Sequence, residues 1–222
     1  MTLRLFHHPF SSFCQKVLIA LYDREVPFEP VTIDLRDPEQ RAVLAQVWAM
    51  TKFPVLRDEA RDVTVPESTL IIEYLDRIHL GPPPLVPKDP EAALQVRIWD
   101  RFFDNYVEVP LQKAVVDHFR PERARDPYGV EEAKGQLARA YPIVEAQLAD
   151  GREWIAGGAF SLADCSAAPA LFYANIVQPY AGHANLEAYY ARLLARPSFA
   201  RAIEEARPYR VGFPLPWPDS YA

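Results

Sequence analysis

Cysteine, glycine and net positive charge are all in short supply in this 222-residue chain, and each shortage removes a class of function. The two cysteines, Cys14 and Cys165, lie far apart. They form neither a CxxC pair nor a metal cluster, and they predict reduced thiols in a cytoplasmic setting rather than a disulfide framework. Acidic residues outnumber basic ones by 30 to 24, giving a net charge of -6, and no lysine or arginine run interrupts that balance. A nucleic-acid partner or an anionic membrane surface is therefore not expected. The opening segment Met1-Thr2-Leu3-Arg4-Leu5-Phe6-His7-His8 lacks the apolar block of a signal peptide, and no uncharged run is long enough to span a bilayer. His7 and His8 are adjacent while His79, His118 and His183 are scattered, so no metal site is expected.

What the chain does have is apolar material and proline. Half its residues are hydrophobic and 12% are aromatic, enough for a substantial core. Eight glycines against 22 prolines fit helices punctuated by stiff connections. Leu3 to His7 reads as a first strand. A helix then runs from Ser11 or Ser12 to about Tyr22, with Phe13, Val17, Leu18, Ala20 and Leu21 on its apolar face, and Phe28 to Ile33 reads as a second strand. Pro38 to about Ala49 is a weaker helix. Val55–Arg57 and Val63–Val65 form a hairpin, followed by a helix from Ser68 to about His79. The order βαβ, α, ββα ends at the proline cluster Gly81-Pro82-Pro83-Pro84-Leu85-Val86-Pro87, a stiff extended connection. Three parts are expected: an α/β domain over 1–80, a linker over 81–90 and an all-helical domain over 91–222. In the last, Pro90 to about Phe119 is a long helix with a kink or break at Pro110. Helices follow at 130–149, from Ser161, at 186–195 and at 198–206, before an irregular but packed tail.

Three segments carry candidate chemistry. Ser11-Ser12-Phe13-Cys14-Gln15-Lys16 stands where the first strand hands over to the first helix. Ser12 and Gln15 have capping-box spacing, which would leave Ser11 free for a ligand; a helix N-terminus also favours an anion such as a thiolate. Phe53-Pro54 sits at a strand entrance, where proline cannot join the ladder. It is either a trans proline on an edge or a cis bond that turns the Phe53 backbone toward an extended ligand. Pro66-Glu67-Ser68 opens the third helix. Ser68 is either an ordinary cap or, with Glu67 beside it, half of a site for an α-amino acid group, with the acid for the ammonium and the helix end for the carboxylate. Phe160-Ser161-Leu162-Ala163-Asp164 has capping spacing and is assigned to structure. Trp99, Phe102, Phe103 and Tyr106 recur at helical spacing, mostly for the core, with one or two lining a cleft.

Taken together, Ser11-Ser12-Phe13-Cys14, Lys52-Phe53-Pro54-Val55-Leu56, Glu67-Ser68-Thr69-Leu70-Ile71-Ile72-Glu73-Tyr74-Leu75 and Phe160-Ser161-Leu162-Ala163-Asp164 resemble the glutathione transferase superfamily, over essentially the whole chain. The resemblance implies a thioredoxin-like N-terminal domain joined to an all-helical one, and a homodimer. It implies glutathione as cosubstrate, its thiolate attacking small, mostly apolar electrophiles. The first helix is similar to that of the serine-type classes (theta, phi, tau, zeta), which implies a bacterial-type cytosolic member. Ser11 falls on their catalytic serine, and Cys14 on the second cysteine of the glutaredoxin motif. The zeta class has Ser-Ser-Cys where this chain has Phe13 third, which weakens an isomerase assignment. By resemblance, glutathione would meet Ser11, Phe13, Gln40, Lys52, Phe53, cis Pro54, Glu67 and Ser68. The usual Asn-Pro-x-Gly before Lys52 is replaced by Val47-Trp48-Ala49-Met50-Thr51. The electrophile cleft would draw on Phe10, Phe13, Phe103, Tyr106 and Trp217. A glutathione-dependent reductase or isomerase using Cys14, and a non-catalytic binding protein on the same fold, are the alternatives.

Overall fold

Strand β1 (Leu3–His7) sits inside the sheet because both of its faces are covered. Leu3 and Leu5 join the large core with α1 (Ser12–Asp23) and α3 (Ser68–Ile78). Phe6 points the other way, into a small cluster with Ile33, Leu44 and Val55 under α2 (Pro38–Val47). This is the two-residue alternation of a strand covered on both sides. β1 pairs in parallel with β2 (Glu29–Thr32) and antiparallel with β3 (Val55–Asp58), which pairs antiparallel with β4 (Val63–Pro66). The sheet order β2-β1-β3-β4 and the helices around it make a thioredoxin-like domain. The computed structural model describes residues 2–79 and 83–215.

The rest of the described chain is helical: α4 (Pro90–Phe102), a π-helical segment (Phe103–Glu108), α5 (Val109–Asp117), α6 (Pro127–Gln147), α7 (Leu162–Val177), α8 (Ala184–Leu194) and α9 (Pro197–Ala206), then a 3₁₀ segment over Arg207–Gly212. Every residue of α7 from Leu162 to Ala174 is buried, so it forms the axis on which α1, α4 and α5 pack. The break expected at Pro110 begins earlier, at Phe103. Proline at 110 has no N–H and crowds the carbonyl one turn before it; the widened turns relieve that conflict, and the Val109 N–H reaches back to the carbonyl of Asp104. Helix α6 starts at Pro127 rather than Val130, its N-terminus closed by Asp126 accepting from the Gly129 N–H at 2.9 Å. Among the described residues no helix is long and apolar enough to cross a membrane.

Candidate functional site

The β1–α1 junction sets two serines side by side with different duties. Ser11, with extended backbone, is the N-cap of α1, and its Oγ accepts from the Cys14 N–H at 3.4 Å. Ser12 is already inside the helix and buried, and its hydroxyl donates to Oε1 of Glu108. This reverses the expected capping assignment, because Ser12 is drawn into a side-chain pair 96 residues away in sequence. Ser11 caps with a lone pair, which leaves its O–H as a donor, with the Cys14 sulfur within its reach. Cys14 is fully buried, and burial pushes its thiol up to about 12 against the opposing Ser11 and His8 hydrogen bonds. Cys165 is likewise buried and its thiol raised, again chiefly by burial.

Two cavities meet near this junction. The first, of about 170 Å³, is lined by Phe13, Trp48, Lys52, Phe53, Pro54, Pro66, Glu67 and Ser68. The Phe53-Pro54 bond is cis. Glu67 occupies the N-cap position of α3 at φ 69, and its side chain makes no capping hydrogen bond. A non-glycine residue in the left-handed region is uncommon and clusters at ligand sites. Ser68 is therefore the first helical residue and not the cap. Helix α3 thus presents an N-terminus without a side-chain cap to a cavity that also holds an acid and a lysine.

The second cavity, of about 230 Å³, lies where α1, α5, α7 and the chain's last described residues converge. Ser11, Ser12 and Phe53 form one wall, and Phe53 is shared with the first cavity. Leu111, Val115 and Phe119 of α5 and its C-terminal turn also line it, while Phe10, Tyr173 and Phe213 pack edge to face or tilted at 5.6–5.8 Å. Tyr173 is held by the Gln15 amide, which donates to its hydroxyl at 3.0 Å.

Several expected site residues fall elsewhere. Phe103 is fully buried in the core against Trp99 and Phe102, because the π-helical segment turns it inward. Tyr106 is 60% exposed and faces a separate hollow with Phe102, Arg139 and Ile143. Gln40 lines neither cavity: its amide donates to Asp37 at 2.8 Å and accepts from the Asp34 N–H at 2.7 Å, tying down the start of α2. Trp217 lies outside the described residues. Sequence reasoning missed Trp48, Tyr173, Phe213 and above all Glu108, whose signal was a lone acid inside the apolar run Val107-Glu108-Val109-Pro110-Leu111. Among the described residues no cluster of three or more metal-ligating side chains occurs.

Comparison with known proteins assigns this geometry to a family. Residues 5–83 match the glutathione S-transferase N-terminal domain and residues 127–192 the glutathione S-transferase C-terminal domain. A glutathione S-transferase from Methylobacillus flagellatus, solved with glutathione bound, is 27% identical, with a TM-score of 0.81 over 90% of this chain and 98% of that one. A second, from Methylobacterium radiotolerans, solved with glutathione sulfonate, is 29% identical, with a TM-score of 0.79 over 91% and 94%. The tobacco (Nicotiana tabacum) protein glutathione S-transferase PARB is 23% identical over 92% of this chain and 99% of its own length. With both halves matched in order on a thioredoxin-like domain followed by helices, the chain belongs to the glutathione transferase superfamily.

Proposed function

We propose that this chain is a serine-type glutathione transferase in which Ser11 holds the glutathione sulfur as a thiolate for attack on small, largely apolar electrophiles. The observation that carries the reading is the convergence of Phe13, Lys52, Phe53, Pro54, Glu67 and Ser68 on one cavity that shares Phe53 with the cavity containing Ser11. The γ-glutamyl end would lie at Glu67, Ser68 and the start of α3, with the thiol near Ser11 and the electrophile among Phe10, Leu111, Val115 and Phe213. The energetics are adequate. A free thiol has a pKa near 8.5, and lowering it by about two units requires roughly 2.7 kcal/mol of anion stabilisation. A serine hydrogen bond to a charged atom contributes about 1.5–3 kcal/mol, and the α1 N-terminus about 0.3–1 kcal/mol more.

Thiol redox chemistry through Cys14 is disfavoured by its complete burial and raised pKa, which leave almost no thiolate at neutral pH. Homodimerisation, cytoplasmic residence and a division into 1–80, 81–90 and 91–222 belong to the same reading. Ser11→Ala should lower turnover roughly ten- to a hundredfold with glutathione affinity, read by calorimetry, largely retained. Unchanged turnover would remove Ser11 from the mechanism. Glutathione binding with no conjugation of any electrophile tested would favour a non-catalytic binding protein.

A further inference from the structure

The loop that delivers Ser11 is a tight turn with an uncommon first residue. The Ser11 N–H donates to the His8 carbonyl at 3.0 Å, which closes a β-turn over His8, Pro9, Phe10 and Ser11. Proline at the second position presets the turn's φ. The first position of such turns favours Asp, Asn or Ser, because a short polar side chain there accepts from the N–H two residues on. Here an imidazole takes that part: His8 Nδ1 accepts from the Phe10 N–H at 3.2 Å. The half-buried ring also stacks on Phe53 at 6.2 Å, with the planes 22° apart, and meets Tyr209 of the 3₁₀ segment edge-on at 4.7 Å. His8 thereby ties the turn carrying Phe10 and Ser11 to Phe53, the residue shared by both cavities.

The turn depends on the protonation state of that ring. An accepting Nδ1 carries no proton, so the neutral ring has its proton on Nε2. The imidazolium has an N–H at both nitrogens and would set one donor against another at Phe10. The surroundings favour the neutral form. Burial is the largest influence and lowers the His8 pKa from 6.5; Asp34 of the β2–α2 loop opposes it, and Arg36 of the same loop adds to it. His7, beside it on β1, is neutral above about 4. Tyr209 is the titratable group that the 3₁₀ segment sets against the ring.

We propose that His8 is a positioning residue for the thiolate step: as a neutral acceptor it holds the turn that places Ser11, and its protonation releases that turn. This rests on the transferase reading above. His8 lines neither cavity, so it acts through the Phe10 N–H and Ser11 rather than by touching a ligand. Asparagine should replace it, since its Oδ1 reaches the N–H two residues on, carries no titratable proton and precedes proline in a common turn opening. Phenylalanine keeps a ring against Phe53 and Tyr209 but offers no acceptor. Its cost should fall on the step that needs Ser11 and not on the capture of glutathione by Glu67 and Ser68.

The test compares wild type, His8→Asn and His8→Phe with chlorodinitrobenzene at saturating glutathione. At about pH 7.5 His8→Asn should keep most of the wild-type kcat/KM for the aryl chloride, whereas His8→Phe should lose about tenfold. Glutathione affinity, read by calorimetry, should stay within about twofold in both variants. Ionisations common to all three proteins, the bound thiol and Glu108 among them, cancel in the ratio of His8→Asn to wild type. That ratio should climb about threefold or more between about pH 7 and pH 5, as His8 gains its proton in the wild type alone. A flat ratio would overturn the role of His8 and leave the transferase reading intact; so would a His8→Phe variant as active as wild type. No conjugation by wild type would overturn both. Should the variants fail to fold, nitrogen-15 spectra of the wild type with glutathione at neutral pH decide the point. Nδ1 of His8 should resonate as an unprotonated nitrogen, and a protonated Nδ1 would overturn the proposal.

Discussion

Ser11 and Ser12 are adjacent and chemically identical, yet one caps α1 with its oxygen and the other spends its proton on Glu108. Residue identity alone could not separate them, because the partner that claims Ser12 comes from the far side of the molecule. His7 and Glu108 illustrate the same point with charge. Burial pushes the His7 imidazole down to about 4, with Glu205 opposing and His8 adding, and neither ring nitrogen has a hydrogen-bond partner among the described residues. The unfolded chain takes up that proton near pH 6.5 while the folded chain refuses it until about 4. Stability from this residue is therefore present above about 6.5 and is lost as the pH falls toward 4. Relative to the parent, His7→Gln should flatten this acid limb by up to about 3 kcal/mol, read as urea midpoints at several pH values. Glu108 works in the opposite sense: its raised pKa makes the folded chain lose stability as pH rises from 4.5 to about 7. None of these shifts was legible in the sequence, since each depends on how deeply neighbouring elements bury the group.

At the scale of elements, the start of α7 was legible in the sequence, whereas the starts of α1, α3 and α6 and the interior of the α4–α5 segment were not. The Ser161–Asp164 spacing was rightly read as structural. The Asp164 carboxylate accepts from the N–H and the hydroxyl of Ser161, both at 2.9 Å. It also accepts from the Ile155 N–H at 3.0 Å and the Tyr189 hydroxyl at 2.6 Å. The last two lie outside the cap and join α7 to the preceding loop and to α8. Asp164→Ala strands four buried donors and should cost about 3–5 kcal/mol, seen as a lower urea midpoint with little change in slope. The π-helical segment is the counterexample. Pro110 announced a disturbance, but where the widened turns begin is settled by packing. That choice turns Phe103 into the core and brings Glu108 to the cavity.

For the whole molecule, the decisive feature is a buried ionic network at the seam between the thioredoxin-like part and the helices. Lys16 of α1, 1% exposed, reaches Asp100 of α4 at 2.6 Å, Asp104 of the π-helical segment at 2.9 Å and the Thr69 hydroxyl of α3 at 2.9 Å. Ser166 of α7 donates to Asp100 at 2.5 Å, and Arg101 closes the network from the solvent side. Burial works against both carboxylates. With Lys16, Ser166 and Arg101 opposing it, Asp100 ends below its ordinary value, whereas Asp104, with Asp100 adding to the burial, ends above. Removing the one buried cation leaves two acids uncompensated. Lys16→Met should therefore cost about 3–5 kcal/mol, and adding Asp104→Asn should recover part of it, both measured by urea unfolding.

By itself the sequence determined the order of elements, the two-part architecture and the segments that converge on the smaller cavity. Those follow from local rules: hydrophobic periodicity, proline's missing N–H and the geometry of helix N-termini. Folding decided which serine caps α1, which aromatics line the cavity, that the Gln40 side chain ties down the start of α2, and that an acid from the helical half lines the same cavity as Ser11. These depend on burial and on pairing across dozens of residues, and a side chain's neighbours at that distance are fixed only when the core closes.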